Sequence, residues 1–90
     1  MYKRILSSQF KKDFKRFKFN KKVVLEFEKI VNILADWKDL PEKYLNHKLK
    51  WDYKWCFECH IFPDILLVYQ INNDELILHL LRIWSHNEIF

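Results

Sequence analysis

The sequence predicts an α+β domain, β-α-α-β-β-β in element order, with a two-helix hairpin packed on one face of a small, mainly antiparallel sheet. Three observations carry this expectation. Apolar residues recur at helical spacing between residues 8 and 35, they alternate or run continuously after residue 54, and a proline-bearing connection without a period separates the two regions. With 90 residues there is room for one core and one domain, and a composition that is 50% hydrophobic and 18% aromatic can fill it.

Residues 1–6 alternate well enough for a first strand. Ser7 and Ser8 then offer an N-cap oxygen, so a helix should follow. Phe10, Phe14 and Phe17 recur at i, i+4 and i+7, one apolar stripe on a segment otherwise full of Lys and Arg, and Asn20 marks the break. A second helix is expected over residues 21–35, with Val24, Phe27, Val31 and Leu34 on its buried face. Two amphipathic helices joined this closely make an antiparallel hairpin. The connection 36–49 contains Pro41 and reads as loop. In residues 54–62 the alternation sets Trp55, Phe57, Cys59 and Ile61 on one face, and Cys56, Glu58, His60 and Phe62 on the other. Pro63-Asp64 breaks that strand, and residues 65–71, apolar on both faces, read as a central one. Asn72-Asn73-Asp74 is turn chemistry, and residues 76–83 form the last strand.

The longest apolar run, Ile65-Leu66-Leu67-Val68-Tyr69, is far short of the roughly 20 residues a membrane span requires. Lys3 and Arg4 lead into a polar, basic segment, which is not the pattern of a signal peptide. A soluble, cytoplasmic protein with no membrane partner is the expectation. The net charge of +4 hides an asymmetry: residues 1–54 carry a balance of +8 and residues 55–90 one of −4. A basic half suits a polyanion, because each neutralised phosphate releases counterions; a solvated basic face is the alternative. Cys56 and Cys59 form a lone C-x-x-C inside a strand, where residues three apart point to opposite faces. They read as two reduced, structural thiols, and no metal or other cofactor is expected.

Five short segments carry a resemblance. They are Leu40-Pro41-Glu42-Lys43-Tyr44, His47-Lys48-Leu49, the run from Glu58 through Cys59-His60-Ile61-Phe62-Pro63 to Asp64, Leu66-Leu67-Val68-Tyr69, and Arg82 followed by Ser85-His86-Asn87-Glu88-Ile89-Phe90. In this order they resemble the YafQ branch of the RelE/ParE toxins, closely over residues 37–90 and by element order and charge over residues 1–36. Two departures stand out: Lys48 where the family often has Pro, and Phe57 where it usually has a basic residue, which removes one phosphate contact. The resemblance implies a RelE-like fold and a metal-independent endoribonuclease that cuts messenger RNA in the decoding site of a translating ribosome. It also implies a cognate antitoxin, of ribbon-helix-helix type, that covers the active site or the helix hairpin, and a complex that binds its own operator DNA. Two rival readings are a ParE-like gyrase inhibitor and a non-enzymatic RNA- or DNA-binding co-repressor module; a cluster of histidines and acids argues against the first.

Cutting RNA without a metal uses the 2′-hydroxyl as an internal nucleophile. That needs a base, an acid and positive charge at the crowded phosphate, and histidine suits both proton roles. Of the four histidines, His60 lies two residues from Glu58 on one strand face, so the acid is expected to orient the imidazole or hold it protonated. Asp64 follows across the Pro63 turn, and His86 lies beyond the last strand, where it can meet His60 across the sheet. The resemblance assigns function to His47, His60, Asp64 and His86, substrate contact to Phe90, and phosphate stabilisation to Arg82. Lys48 and Lys50 are further expected substrate contacts. His79, between Leu78 and Leu80, reads as a strand residue without a catalytic role. Lys11, Lys12, Lys15, Arg16, Lys18, Lys21 and Lys22 are the expected ribosome-docking residues, with Lys12, Lys15 and Arg16 opposite the Phe stripe at about 100° per residue.

The chain contains no glycine and four tryptophans. Trp51, Trp55 and Trp84 stand where the resemblance sets glycine, and Trp37 stands just past the second helix, where a left-handed glycine is common. These positions are read as UGA codons that mean glycine in the source; stacking platforms for RNA bases are the alternative.

Overall fold

A computed structural model of the protein describes residues 1–49 and 56–85; the expectations placed on Lys50, Trp51, Trp55, His86 and Phe90 lie outside the described residues. The elements are β1 (Lys3–Leu6), α1 (Ser8–Phe14), α2 (Lys21–Ala35), a 3-10 turn over Glu42–Tyr44, β2 (His47–Lys48), β3 (Cys56–Phe62), β4 (Ile65–Asn72) and β5 (Ile77–Ser85). The strands form one sheet in the order β1-β5-β4-β3-β2. Among the described strands only the β1–β5 pair is parallel, so the sheet is mixed and mainly antiparallel, as expected.

Ser7 starts α1 by two bonds. Its Oγ accepts the Phe10 N–H at 2.9 Å, and the same hydroxyl donates to the Leu81 carbonyl at 2.8 Å, fixing the helix start to β5. The helix is shorter than expected. It stops at Phe14, and the chain continues through tight turns in which the Arg16, Phe17 and Asn20 amides bond to the Asp13, Phe14 and Phe17 carbonyls. Phe17 is still buried, but Lys15, Arg16 and Lys18 stand in the turns that follow the helix, with Lys15 as its C-cap. Asn20 caps α2 by accepting the Val23 N–H at 3.3 Å, and that helix has the expected bounds. Its buried face is Val23, Ile30, Val31, Leu34 and Ala35 with Phe27 half-buried, so Val24 is at the edge of the stripe and not in it.

The connection expected to be loop contains β2. A two-residue strand is too short to show a period, and only its pairing with β3, His47 opposite Glu58 and Lys48 opposite Phe57, reveals it. The core lies between the helices and one face of the sheet; Phe10, Ile30, Leu67, Tyr69, Leu78 and Ile83 are among its sealed side chains. On β3, Cys59 and Ile61 join that core and Phe57 packs against it, stacking on Tyr69. Cys56, also buried, is on the opposite parity, as the strand alternation requires. Both thiols are free. Burial pushes both thiol pKa values up, Cys59 to about 12 with help from the Glu58 charge, so neither is a ready thiolate.

Candidate active site

Strand register assembles the site on the sheet face away from the helices. One row across the sheet reads His47, Glu58, Val68, Arg82, and the next reads His60, Leu66, Trp84. Residues directly opposite on neighbouring strands share a face. Four of the expected residues, His47, Glu58, His60 and Arg82, therefore stand on one face, spread over the width of the sheet.

At the β2–β3 end, the His47 Nε2 lies 3.5 Å from Glu58 Oε1, and its Nδ1 lies 2.9 Å from the Leu45 carbonyl. A carbonyl oxygen only accepts, so Nδ1 carries the proton in that contact. With acceptors on both nitrogens, the doubly protonated ring satisfies both contacts. Glu58 thus pairs with His47, and not with His60 as the sequence suggests. The reason is geometric: side chains directly opposite across two strands sit about 5 Å apart at Cβ, closer than neighbours two positions along one strand, which are about 7 Å apart. His60 is held instead by its own hairpin, its Nδ1 lying 3.3 Å from the Pro63 carbonyl. In the neutral ring this leaves the Nε2 lone pair unused by that contact. His47 and His60 are diagonal neighbours, about 7–8 Å apart by strand geometry.

Asp64 is exposed in the two-residue turn between β3 and β4, at the same end as His60, and Lys48 is exposed on β2. His60 also lines a cleft of 430 Å³ with Glu26, Lys43, Tyr44 and Pro63. The Tyr44 hydroxyl donates to Glu26, whose carboxylate also faces Lys29 and Lys43 at 3.7 Å each. The Tyr44 hydrogen bond, ahead of the two lysines, holds the Glu26 carboxyl below its ordinary range, and burial followed by Glu26 pushes the Tyr44 phenol up to about 12. Sequence reasoning missed this group, because Glu26 and Tyr44 come together only through tertiary packing.

At the β5 end the structure revises the role of Arg82. Its Nε donates to Asp13 Oδ2 at 2.6 Å and its Nη2 to Asp13 Oδ1 at 3.2 Å. Asp13 is only 3% exposed and also accepts the Ile83 N–H at 3.3 Å and the Gln9 amide at 3.1 Å. Burial raises its pKa, but the bonds from Arg82, Gln9 and Ile83 more than offset this, so the carboxyl ends below its ordinary value. The guanidinium then lies 4.4 Å from the centroid of the Trp84 ring. Arg82 is therefore not a freely directed phosphate ligand. Part of its donor fork is committed to Asp13, and Nη1 remains without a protein partner among the described residues. The sequence did hold a signal for Asp13: it is the sole acid between residues 5 and 25, set among seven basic residues.

Those seven, Lys11, Lys12, Lys15, Arg16, Lys18, Lys21 and Lys22, are all exposed. His79 pairs with Gln70 on β5, on the same face as His60 but about 13 Å further along the strands. Among the described residues no cluster of three or more His, Cys, Asp or Glu could hold a metal ion, and no helix is long and apolar enough to cross a membrane.

The family model for the bacterial toxin of type II toxin–antitoxin systems, YafQ, matches residues 2–90. No curated protein sequence matches significantly. Among solved structures, a metal-bound toxin from Helicobacter pylori is 41% identical with a TM-score of 0.84, covering 100% of both chains. The Escherichia coli DinJ–YafQ complex matches at 25% identity and a TM-score of 0.85, over 100% of this chain and 99% of that one. YafQ from E. coli strain BL21(DE3), at 24% identity and a TM-score of 0.84, shares the fold. The chain belongs to the YafQ family of bacterial type II toxin–antitoxin toxins.

Proposed function

We propose that this toxin is a ribosome-dependent endoribonuclease that cleaves messenger RNA in the decoding site without a metal. The observation that carries this reading is the placement, on one sheet face, of two histidines with different hydrogen-bond surroundings. His60, donating through Nδ1, presents Nε2 as the base for the 2′-hydroxyl proton. His47, held between the Leu45 carbonyl and Glu58, is the acid that protonates the leaving 5′-oxygen. The 2′-oxygen bonds to phosphorus as the 5′-oxygen departs, leaving a 2′,3′-cyclic phosphate on one product and a 5′-hydroxyl on the other. Lys48 and Lys50 meet the flanking phosphates, Arg82 contributes charge through Nη1, and Asp64, His86 and Phe90 complete the site around the base.

The seven exposed basic residues of the helix region dock ribosomal RNA. A cognate antitoxin neutralises the toxin, as the DinJ–YafQ relative suggests. A groove of 270 Å³ between α1 and α2, floored by Phe10, Phe14 and Phe27 and rimmed by Lys11, Lys15 and Lys18, suits an acidic amphipathic segment of that partner. The antitoxin complex would carry the toxin to operator DNA.

Ribosomes programmed with a defined message, followed by primer extension, test the reading. Cleavage within the decoding-site codon, with a cyclic phosphate at the new 3′ end, is expected, and a 2′-O-methyl group on the scissile nucleotide should abolish it. Cleavage of the methylated message would overturn internal attack, and cleavage of naked RNA at the same rate would overturn ribosome dependence.

A further inference from the structure

Left-handed backbone occurs at three described residues, Trp37 (φ 65°), Leu45 (φ 48°) and Leu76 (φ 55°). Glycine is the residue that takes such backbone without a steric penalty, yet none of the 90 residues is glycine, while four are tryptophan. Average usage of about 7% would supply roughly six glycines in a chain this long. Leu45 and Leu76 show an ordinary side chain in a left-handed turn, so φ alone does not decide the matter. The helix end does more.

After α2, the Lys38 N–H bonds to the Ile33 carbonyl and the Trp37 N–H to the Leu34 carbonyl, both at 3.1 Å. These are the two bonds of a Schellman motif, and Trp37 holds its left-handed C′ position, which is most often glycine. Its indole gains little there: the residue is 59% exposed and meets Tyr2 edge-on. Trp84 fits its place poorly in another way. Its Nε1 is buried and has no hydrogen-bond partner among the described residues, although a buried indole N–H usually finds one. Trp37 therefore holds a glycine-type position for one edge contact, and Trp84 gains the Arg82 guanidinium over its ring but leaves its own N–H unpaired among the described residues.

We infer that Trp37, Trp51, Trp55 and Trp84 are glycine in the protein as its source makes it, encoded by UGA codons written here as tryptophan. UGA is a codon whose meaning differs between genetic codes, and a single reassignment accounts at once for the missing glycines and the misplaced indoles. The inference is independent of the catalytic reading, but it bears on the same face. Glycine at 84 removes the ring from beside Arg82 and opens the row that holds His60 and Leu66. The site of the natural protein is then wider than the one with tryptophan.

Two measurements test this. The gene should carry UGA at all four positions, in a genome that encodes a glycine transfer RNA with the anticodon UCA; UGG at Trp37 or Trp84 overturns the inference. The protein from its source cells should then be digested with trypsin, because Lys29, Lys38, Lys50, Lys54 and Arg82 put each tryptophan on a separate peptide. Mass spectrometry should find the 30–38 and 83–90 peptides lighter by the difference between tryptophan and glycine. Peptides that carry the tryptophan mass overturn the inference even where the codon is UGA.

Discussion

Replacing Asp13 with alanine removes the acceptor that Arg82, Ile83 and Gln9 share. Arg82 loses two hydrogen bonds, at 2.6 and 3.2 Å, but it is 36% exposed and water takes over part of its charge. The pair is therefore worth less than the roughly 3–5 kcal/mol lost when one partner of a fully buried pair is removed. The Ile83 N–H, by contrast, lies in buried surroundings and is left without its partner, which costs about 1–3 kcal/mol. A total of about 2–4 kcal/mol is expected, a large part of the 5–15 kcal/mol typical of a small domain. Asp13→Asn keeps an acceptor of the same shape and should lose about half as much. Urea unfolding at neutral pH measures both. Because the folded-state pKa of Asp13 is depressed, its contribution is complete above the ordinary value of 3.8 and is lost as pH falls through the lower folded value. The gap between wild type and Asp13→Asn should therefore be widest near neutrality and close in strong acid. An Asp13→Ala protein within about 0.5 kcal/mol of wild type would refute the reasoning, since that is the range of a surface substitution without consequence.

Three further outcomes are expected. His60→Ala and His47→Ala should each lower cleavage by roughly 10²-fold or more, the scale of a lost general base or acid, while His79→Ala stays near wild type; equal losses at all three would report stability and not chemistry. The triple variant Lys12→Glu, Lys15→Glu, Arg16→Glu should fold and fail to co-sediment with ribosomes, with a shallower salt dependence of binding by roughly 0.7–0.9 per lost phosphate contact. Unchanged co-sedimentation leaves only a solvated basic face. Cys56 and Cys59 should react with a thiol reagent only on unfolding, because burial disfavours both thiolates; prompt labelling of the native protein would contradict that.

Local signals made most of the fold legible. Ser7 caps α1 as its side chain predicts, Asn20 falls at the break between the helices, and the alternation of Phe57, Cys59 and Ile61 identifies the core face of β3. What was not legible depended on neighbours distant in sequence. The end of α1 at Phe14 has no breaker residue to announce it, and β2 exists only because β3 pairs with it. The site divides in the same way. That Glu58 and His60 share a face follows from strand parity, but the choice of His47 as the Glu58 partner follows from cross-strand register, which no local pattern reveals.

The β5 edge explains why a basic segment contains one acid. β1 ends at Leu6, opposite Leu80, so among the described residues the rest of β5 has no strand on that side. An open edge of this kind exposes amides and carbonyls that another chain could pair with. Here α1 closes it from both ends: Ser7 takes the Leu81 carbonyl and Asp13 takes the Ile83 N–H. Lysine or arginine at position 13 could not accept that hydrogen bond, whatever advantage a further positive charge would bring for RNA. The carboxylate that seals the edge is also the one that holds Arg82, so the stability of the sheet edge and the direction of the guanidinium are set by the same side chain. A substitution that frees Arg82 for phosphate by removing Asp13 must therefore also open β5, and gain at the site would come with loss of the fold that carries it.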